Sequence, residues 1–535
     1  MMKTLQKRWI PILTTSLVLS IALKYFWSFF AFPGVPFGYD AGIYRYLFLR
    51  HAEAFPPFAV TSLPPWAASH PLGLFFFSTI LLKLGVPVDA LIGWVWNLFP
   101  VILSVVLAWV IGRRQGSRVG YFVLLVALLS TVQYQGFLMI YWKVFVAFLW
   151  CVLAFDAFER RSKLWMFFGM MAIATHQQIG LIFALATLAF VLTSSRGNAG
   201  RLGLIGQWAL TPMLGLLWYI QNGSSAIVSL LPMLQASLFS PVTFGVIVLL
   251  IGIVAVVLLF PRHRHSIFLI ACGLIGCVLL LIPLTGIAPA FLGSLLHRAD
   301  AVPGAFLTIP EYAELSLPLL LLGIYGFLRS FEREKGSVWQ WAVLICGLAV
   351  ISLFFFYRRF ILPLDFFLLP FAASALEQMW SARSRGLPVL GVALVLVQGY
   401  LLIGQIHTLD PHVDSAMLKE FASLQSVVEP QSQVIVLDVM APWVVGYLPQ
   451  NAVSGPGIFD SQPQGAWEKF LYGTDADRSA FISHYPKGTY FFATTVFRSY
   501  YPPEVQTLLL HSCLKETTIH GLLRSVCGDP AMATP

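Results

Sequence analysis

Charge is what this chain has little of. Asp, Glu, Lys and Arg make up 11% of its 535 residues, where a soluble domain carries about a quarter. That deficit excludes an ordinary water-exposed globular surface, and the 58% hydrophobic content and mean hydropathy of +0.79 point the same way. Cysteine is scarce too, with six residues and no metal-ligand spacing, which excludes a zinc-finger framework. Cys151, Cys272, Cys277 and Cys346 lie in apolar runs, as small packing residues do. Cys513 and Cys527 lie in a polar tail, where they either stay reduced or pair if that tail is outside the cytoplasm. A small-residue cleavage site is missing from the first apolar stretch, which runs from Lys3, Lys7 and Arg8 to Trp27-Ser-Phe-Phe-Ala-Phe32, so an uncleaved first span is expected. Internal repeats and low-complexity segments are missing as well. The net charge of +9 implies no nucleic-acid partner, because the basic residues sit in short loops between apolar runs.

What is present is a succession of apolar segments, at 9–32, 71–84, 90–111, 120–135, 136–156, 164–175, 178–193, 202–221, 241–260, 266–288, 313–328, 338–356, 360–377 and 387–404. The segment 71–84 is short of the roughly 20 residues that cross a bilayer. Reading it as a juxtamembrane helix places every basic loop on one side: Arg113/Arg114/Arg118, Arg160/Arg161/Lys163, Arg196/Arg201, Arg262/Arg264, Arg329/Arg333/Lys335 and Arg383/Arg385. The expected architecture is an all-α polytopic membrane bundle over 1–404, of about thirteen transmembrane helices plus juxtamembrane helices. The amino terminus is cytoplasmic, and the membrane is most simply the plasma membrane. Residues 405–535 are polar and carry strand-like runs at Gln433-Val-Ile-Val-Leu-Asp438 and Thr489-Tyr-Phe-Phe-Ala-Thr494. They read as a small extracytoplasmic α/β domain. The spans 164–175 and 178–193 break around Thr175-His-Gln-Gln178, which a membrane tolerates where protein or a water-filled cavity covers the backbone.

With this topology the unusual polar residues gather at one face: Asp40, Tyr44 and Arg45; His70; Lys143; His176, Gln177 and Gln178; His297, Arg298 and Asp300; Arg358 and Arg359. A lone Arg at a helix end is often an interfacial anchor, and a lone His is often a packed core residue. Lys143 reads as about two turns into an apolar helix, where an unpaired ammonium costs several kcal/mol and calls for an anion. A phosphate or diphosphate at the membrane–water boundary accepts hydrogen bonds from Arg, Lys and His together. Asp40 would then be the isolated base, or a metal ligand, of that pocket.

These residues resemble the GT-C superfamily of polyprenyl-phosphate-dependent membrane glycosyltransferases, which includes protein O-mannosyltransferases, oligosaccharyltransferases and lipid A aminoarabinose transferases. Gly38-Tyr-Asp-Ala-Gly-Ile-Tyr44 resembles the acidic motif of their first outer loop. Ser69-His-Pro-Leu-Gly73 resembles the opening of their juxtamembrane helix, with Leu72 in place of a second proline. Tyr357-Arg-Arg-Phe-Ile-Leu-Pro-Leu-Asp365 resembles their late Arg-Tyr-x-x-Pro helix start. Lys143, an apolar helix and then His176 resemble a branch found in bacteria and archaea. The resemblance implies a GT-C-like bundle and a sugar carried on a polyprenyl phosphate. It implies inverting transfer to an acceptor (protein, lipid or glycan) at the outer face, with Asp40 as base. His70, Lys143, Arg298, Arg358 and Arg359 would hold the phosphate, and Tyr44, Arg45, His176, Gln177, His297 and Asp300 would complete the pocket. No organic cofactor is implied, and a divalent metal is left open, since Ser69 stands where some members place a metal-binding Glu. No Trp-Trp-Asp motif follows the last span, which argues against an oligosaccharyltransferase.

Three other readings stay open. A transporter or lipid flippase also carries ionisable residues in a cavity, but keeps them near the midplane and shows repeat symmetry. A non-catalytic protein on the same scaffold would account for the substituted proline and missing acid. An O-antigen polymerase or ligase needs long outer loops rich in Arg and His, and the loop 289–312 is modest.

Overall fold

A computed structural model of the chain describes residues 2–53, 63–68, 70–71, 73–193, 198–220, 306–333, 336–351, 357–457, 459 and 462–527. His297, Arg298, Asp300, Cys272, Cys277 and the expected spans 241–260 and 266–288 lie outside the described residues. The chain divides into two units. One contains Met1–Trp27, Ala68–Leu74 and Trp96–Leu409; the other contains Ser28–Ala67, Phe75–Val95 and Asp410–Pro535.

The first unit is helical, as a hydrocarbon solvent demands, because only internal hydrogen bonds satisfy the backbone there. Among the described residues, five helices are long and apolar enough to cross a membrane: Ile12–Ala31, Val88–Gln115, Ile309–Phe331, Tyr357–Ser381 and Gly386–His407. A sixth span is made if the bent pair Ser117–Leu129 and Thr131–Leu138 counts as one. The expected thirteen are therefore not all seen. Some fall outside the described residues, and others are the shorter apolar helices Leu164–Thr175, Gln177–Thr193 and Val338–Ile351. The segment expected to be juxtamembrane forms Gly73–Lys83, an 11-residue helix. Tyr357–Ser381 is the axis of the unit and is buried along most of its length. Phe366 on this helix stacks on Phe148 at 4.0 Å between ring centroids.

The 53° bend at Ser130 exposes carbonyls that a continuous helix would have paired. Each finds a donor. Lys24 Nζ donates to Ala127 O, Leu128 O and Ser130 O at 3.1, 2.9 and 2.7 Å. Gln398 Nε2 donates to Leu129 O at 3.3 Å. Ser130 Oγ caps the next helix by accepting the Gln133 N–H, and donates to Asp365 Oδ2 at 2.9 Å. Asp365 is buried and also accepts from Gln133 Nε2 at 2.9 Å and Ser316 Oγ at 3.3 Å. The ammonium at the end of one helix and the carboxylate at the start of the next both match the helix dipoles.

The second unit contains a five-stranded sheet: β1 (Gln433–Val436), β2 (Ala452–Ser454), β3 (Tyr490–Phe492), β4 (Leu514–Glu516) and β5 (Leu522–Ser525), in the order β2-β1-β3-β5-β4. The β2, β1 and β3 strands are parallel, while β5 is antiparallel to both β3 and β4. Val434, Ile435 and Val436 are all buried, as a central strand covered on both faces requires. The strand runs seen in the sequence become β1 and β3. Helices Gln464–Tyr472 and Asp475–Ser483 seal one face, with Phe470 stacked on Phe481 at 4.2 Å. Cys513 and Cys527 form a disulfide, flanking β4 and β5. By the chain-entropy account, a loop of this length contributes about 2–3 kcal/mol. Reduction of the full chain should therefore lower amide protection in β4 and β5 by a corresponding amount in hydrogen exchange. Unchanged protection would show that the bond adds no stability.

Candidate functional site

The first unit brings cations to the starts of two helices and a histidine to the start of a third. The apolar run 136–156 does not form one helix. Ile140 takes a φ of 60°, its N–H and that of Tyr141 bond back to Phe137 O and Gly136 O, and a new helix begins at Trp142. Lys143 therefore stands in the first turn of Trp142–Glu159, half-buried, rather than two turns deep. Its Nζ lies 2.6 Å from His70 Nδ1. The segment carrying His70 is pressed against the end of helix Leu164–Thr175, since a Cβ on Gly73 would fall 2.3 Å from Thr175 Oγ1. Only glycine allows that approach.

Helix Leu164–Thr175 stops at His176, which is extended (φ −155°) and caps Gln177–Thr193 with its ring: Nδ1 accepts from the Ile179 N–H at 3.5 Å. The His176 ring is within electrostatic reach of Lys143 and Arg359. Gln177 is exposed beside it. Arg359 and Arg358 occupy the first turn of Tyr357–Ser381. They differ in surroundings: Arg358 Nη2 lies 3.9 Å from Glu311 Oε2 in a loose ion pair, whereas Arg359 is the one that reaches the His176 group. Helix starts carry partial positive charge. Lys143, Arg359 and the His176 cap thus add full charges and N–H donors to a field already suited to an anion.

Asp40 belongs to the second unit, where it is exposed at the start of helix Ala41–Glu53. Its carbonyl accepts the Tyr44 N–H at 3.0 Å. Its neighbour Tyr39 donates to Val439 O at 2.6 Å, just past the end of β1. Burial, then the carboxylates of Asp40 and Asp438, push the Tyr39 phenol up to about 12. Asp438 is buried and accepts from Thr494 Oγ1 and from the Met440 and Phe497 N–H groups at 2.9 and 3.1 Å, tying the ends of β1 and β3 together. Burial raises the pKa of this carboxyl, and these hydrogen bonds pull it back down.

Tyr44 and Arg45, expected in the pocket, are placed otherwise. Tyr44 is buried between Phe48 and Phe75, with ring centroids 6.0 Å away in each case. Arg45 holds Asp89 Oδ1 at 2.9 Å and Gly446 O at 2.5 Å, and lies 4.6 Å from the Tyr447 ring centroid. It thus joins helix Ala41–Glu53 to helix Ala441–Tyr447. Their backbones meet at Gly42, where a Cβ would fall 2.2 Å from Pro442 O. Beside this contact is a cleft of about 440 Å³, bordered by Pro36, Ala41, Trp94, Leu418, Lys419 and Trp443.

The Lys24–Asp365 network was not singled out in the sequence. Its signal was there: an ammonium within the first apolar span and a carboxylate within the span 360–377.

No protein-family model and no curated protein matches the sequence. Solved structures do match. The Archaeoglobus fulgidus oligosaccharyltransferase in its apo form superposes with a TM-score of 0.54 at 14% identity, over 89% of this chain and 69% of that one. The archaeal oligosaccharyltransferase AglB from the same organism, in complex with an inhibitory peptide and a dolichol-phosphate, gives 0.55 at 12% identity, over 91% and 70%. The Archaeoglobus fulgidus oligosaccharyltransferase in complex with Zn and sulfate gives 0.54 at 13%, over 89% and 68%. The chain thus shares the fold of these oligosaccharyltransferase structures. At these identities the likeness concerns the fold, and the chemistry rests on this chain's own residues.

Proposed function

We propose that the protein is a multi-pass membrane glycosyltransferase that moves a sugar from a polyprenyl-phosphate donor to an acceptor nucleophile, with inversion. The observation that carries this reading is the set of Lys143, His176 and Arg359 at helix starts, with His70 against Lys143, within a GT-C fold. A transporter reading explains the broken helices but gives no role to an exposed carboxylate at the start of helix Ala41–Glu53, such as Asp40. The dolichol-phosphate bound by AglB is the same class of ligand as the donor proposed here. The acceptor is a protein, lipid or glycan. The missing Trp-Trp-Asp motif argues against an oligosaccharyltransferase activity.

In the reaction, the Asp40 carboxylate takes the proton of the acceptor hydroxyl as its oxygen attacks the anomeric carbon. The bond from that carbon to the phosphate oxygen breaks, and polyprenyl phosphate leaves with the electron pair. Lys143, Arg359 and the His70 N–H stabilise the charge developing on the leaving phosphate. Arg358, paired with Glu311, supports the same helix start. Active-site sidedness follows the basic-loop pattern, with the second unit extracytoplasmic, where a Cys513–Cys527 disulfide persists.

Replacing Arg359 with Gln tests the phosphate assignment. Loss of one charge-assisted hydrogen bond should weaken donor binding by about ten- to a hundred-fold. The measurement is binding of a labelled polyprenyl-phosphate sugar to the purified protein, with thermal melting as the check on folding. Unchanged affinity in a folded Arg359→Gln protein would remove Arg359 from the site.

A further inference from the structure

The contact between Lys143 Nζ and His70 Nδ1 at 2.6 Å needs one proton between the two nitrogens. A free lysine holds its proton about four pK units more tightly than a free histidine, so the ammonium is the donor and Nδ1 the acceptor. The His70 ring is then neutral with its proton on Nε2. Neither ring nitrogen offers a lone pair to a metal: Nδ1 faces the ammonium and Nε2 carries hydrogen. A metal-ligating histidine needs one nitrogen bare. Coordination through Nε2 would force the ring proton onto Nδ1, directly against Lys143. Among the described residues no group of three or more His, Cys, Asp or Glu could hold a metal ion, and the charges around His176 are those of Lys143 and Arg359. A divalent cation would enter against like charge.

We propose that the Lys143 ammonium takes the place of a divalent cation at the phosphate site, with His70 as a neutral N–H donor beside it, so that lipid-phosphate binding is metal-independent. This rests on the reading of the cluster as the donor phosphate site. The pairing explains why a lysine and a histidine serve together. Lys143 fixes the His70 tautomer that donates to an anion, and His70 holds the ammonium in place while adding no charge.

The experiment uses the full-length purified protein and a short-chain prenyl phosphate as probe, titrated in EDTA and then with added Mg²⁺, Mn²⁺ or Zn²⁺. Affinity should agree within about two-fold in every condition. Lys143→Met should lose about ten- to a hundred-fold in EDTA. His70→Gln should keep most of the wild-type affinity in EDTA, because the amide oxygen accepts from Lys143 and the amide NH₂ donates as Nε2 does. His70→Ala should lose it. Thermal melting confirms that each variant is folded. Binding that appears only when a divalent ion is added would overturn the ammonium assignment and leave the phosphate site standing. No binding by folded wild type in any condition would overturn the phosphate site itself, and this proposal with it.

Discussion

Asp40→Asn is expected to leave a folded membrane protein that no longer transfers sugar. Asp40 is exposed at the start of helix Ala41–Glu53, and the first-turn bond from Tyr44 uses its backbone carbonyl, which the substitution keeps. Asn serves at helix starts about as well as Asp, so the stability cost should stay within roughly 0.5 kcal/mol. An amide cannot take the acceptor's proton at neutral pH. Loss of a general base removes about 10²- to 10⁴-fold of rate, and that loss should appear in kcat with donor affinity kept, because the cationic cluster is untouched. A second readout shows that the carboxylate is ionised in the wild type. The Tyr39 phenol, pushed up to about 12 by burial, then by Asp40 and Asp438, should titrate at lower pH once one of those two charges is gone. Transfer of a labelled sugar in membranes, the melting temperature and a tyrosinate titration followed by absorbance make the full set. A stable Asp40→Asn protein with wild-type kcat would end the base assignment.

Much of the architecture was legible in the sequence, for reasons that particular residues make plain. A charge content this low admits only an apolar solvent, and strands at Gln433 and Tyr490 are runs of β-branched and aromatic residues bounded by turn formers. The break at His176 shows as a polar Thr-His-Gln-Gln run within apolar sequence. The breaks at Ser130 and Ile140 do not show, because hydropathy reports transfer free energy and is blind to backbone direction. An Ile at φ 60° looks like any other apolar residue. That is why Lys143 reads as deep in a helix when it stands at the start of one. Arg45 was equally opaque. A basic residue near Asp40 suggests a pocket, and only the fold reveals that Asp89 and Gly446 O take up its donors. Lys24 and Asp365 are visible as ions in apolar runs. What joins them is the bend at Ser130, which no local pattern announces.

Lys24→Met is expected to cause the largest loss of stability of any single change considered. Met fills a similar volume and keeps the helix, so the effect isolates the ammonium. Without it, Ala127 O and Leu128 O lose the side-chain donor that met them at the bend, and Asp365 loses the cation within electrostatic reach. Removing one partner from a buried charged pair typically costs about 3–5 kcal/mol. Asp365→Asn in the same protein should recover part of that, because an amide needs no counter-charge while still accepting from Ser130 and Gln133. The coupling in the double-mutant cycle should be about 1–3 kcal/mol. The consequences reach the cation cluster through the chain itself. Helix Thr131–Leu138 leads from the bend to Trp142–Glu159, whose first turn carries Lys143, and Asp365 sits on the same helix as Arg359. Relaxing the bend should therefore weaken prenyl-phosphate binding even though Lys24 lies outside the cluster, and Lys24→Met/Asp365→Asn should regain stability before it regains affinity. Denaturant or thermal unfolding of the four proteins of the cycle, with prenyl-phosphate titration of each, decides the matter. Additive effects would show that Lys24 and Asp365 act separately, and full affinity in Lys24→Met would uncouple the bend from the anion site.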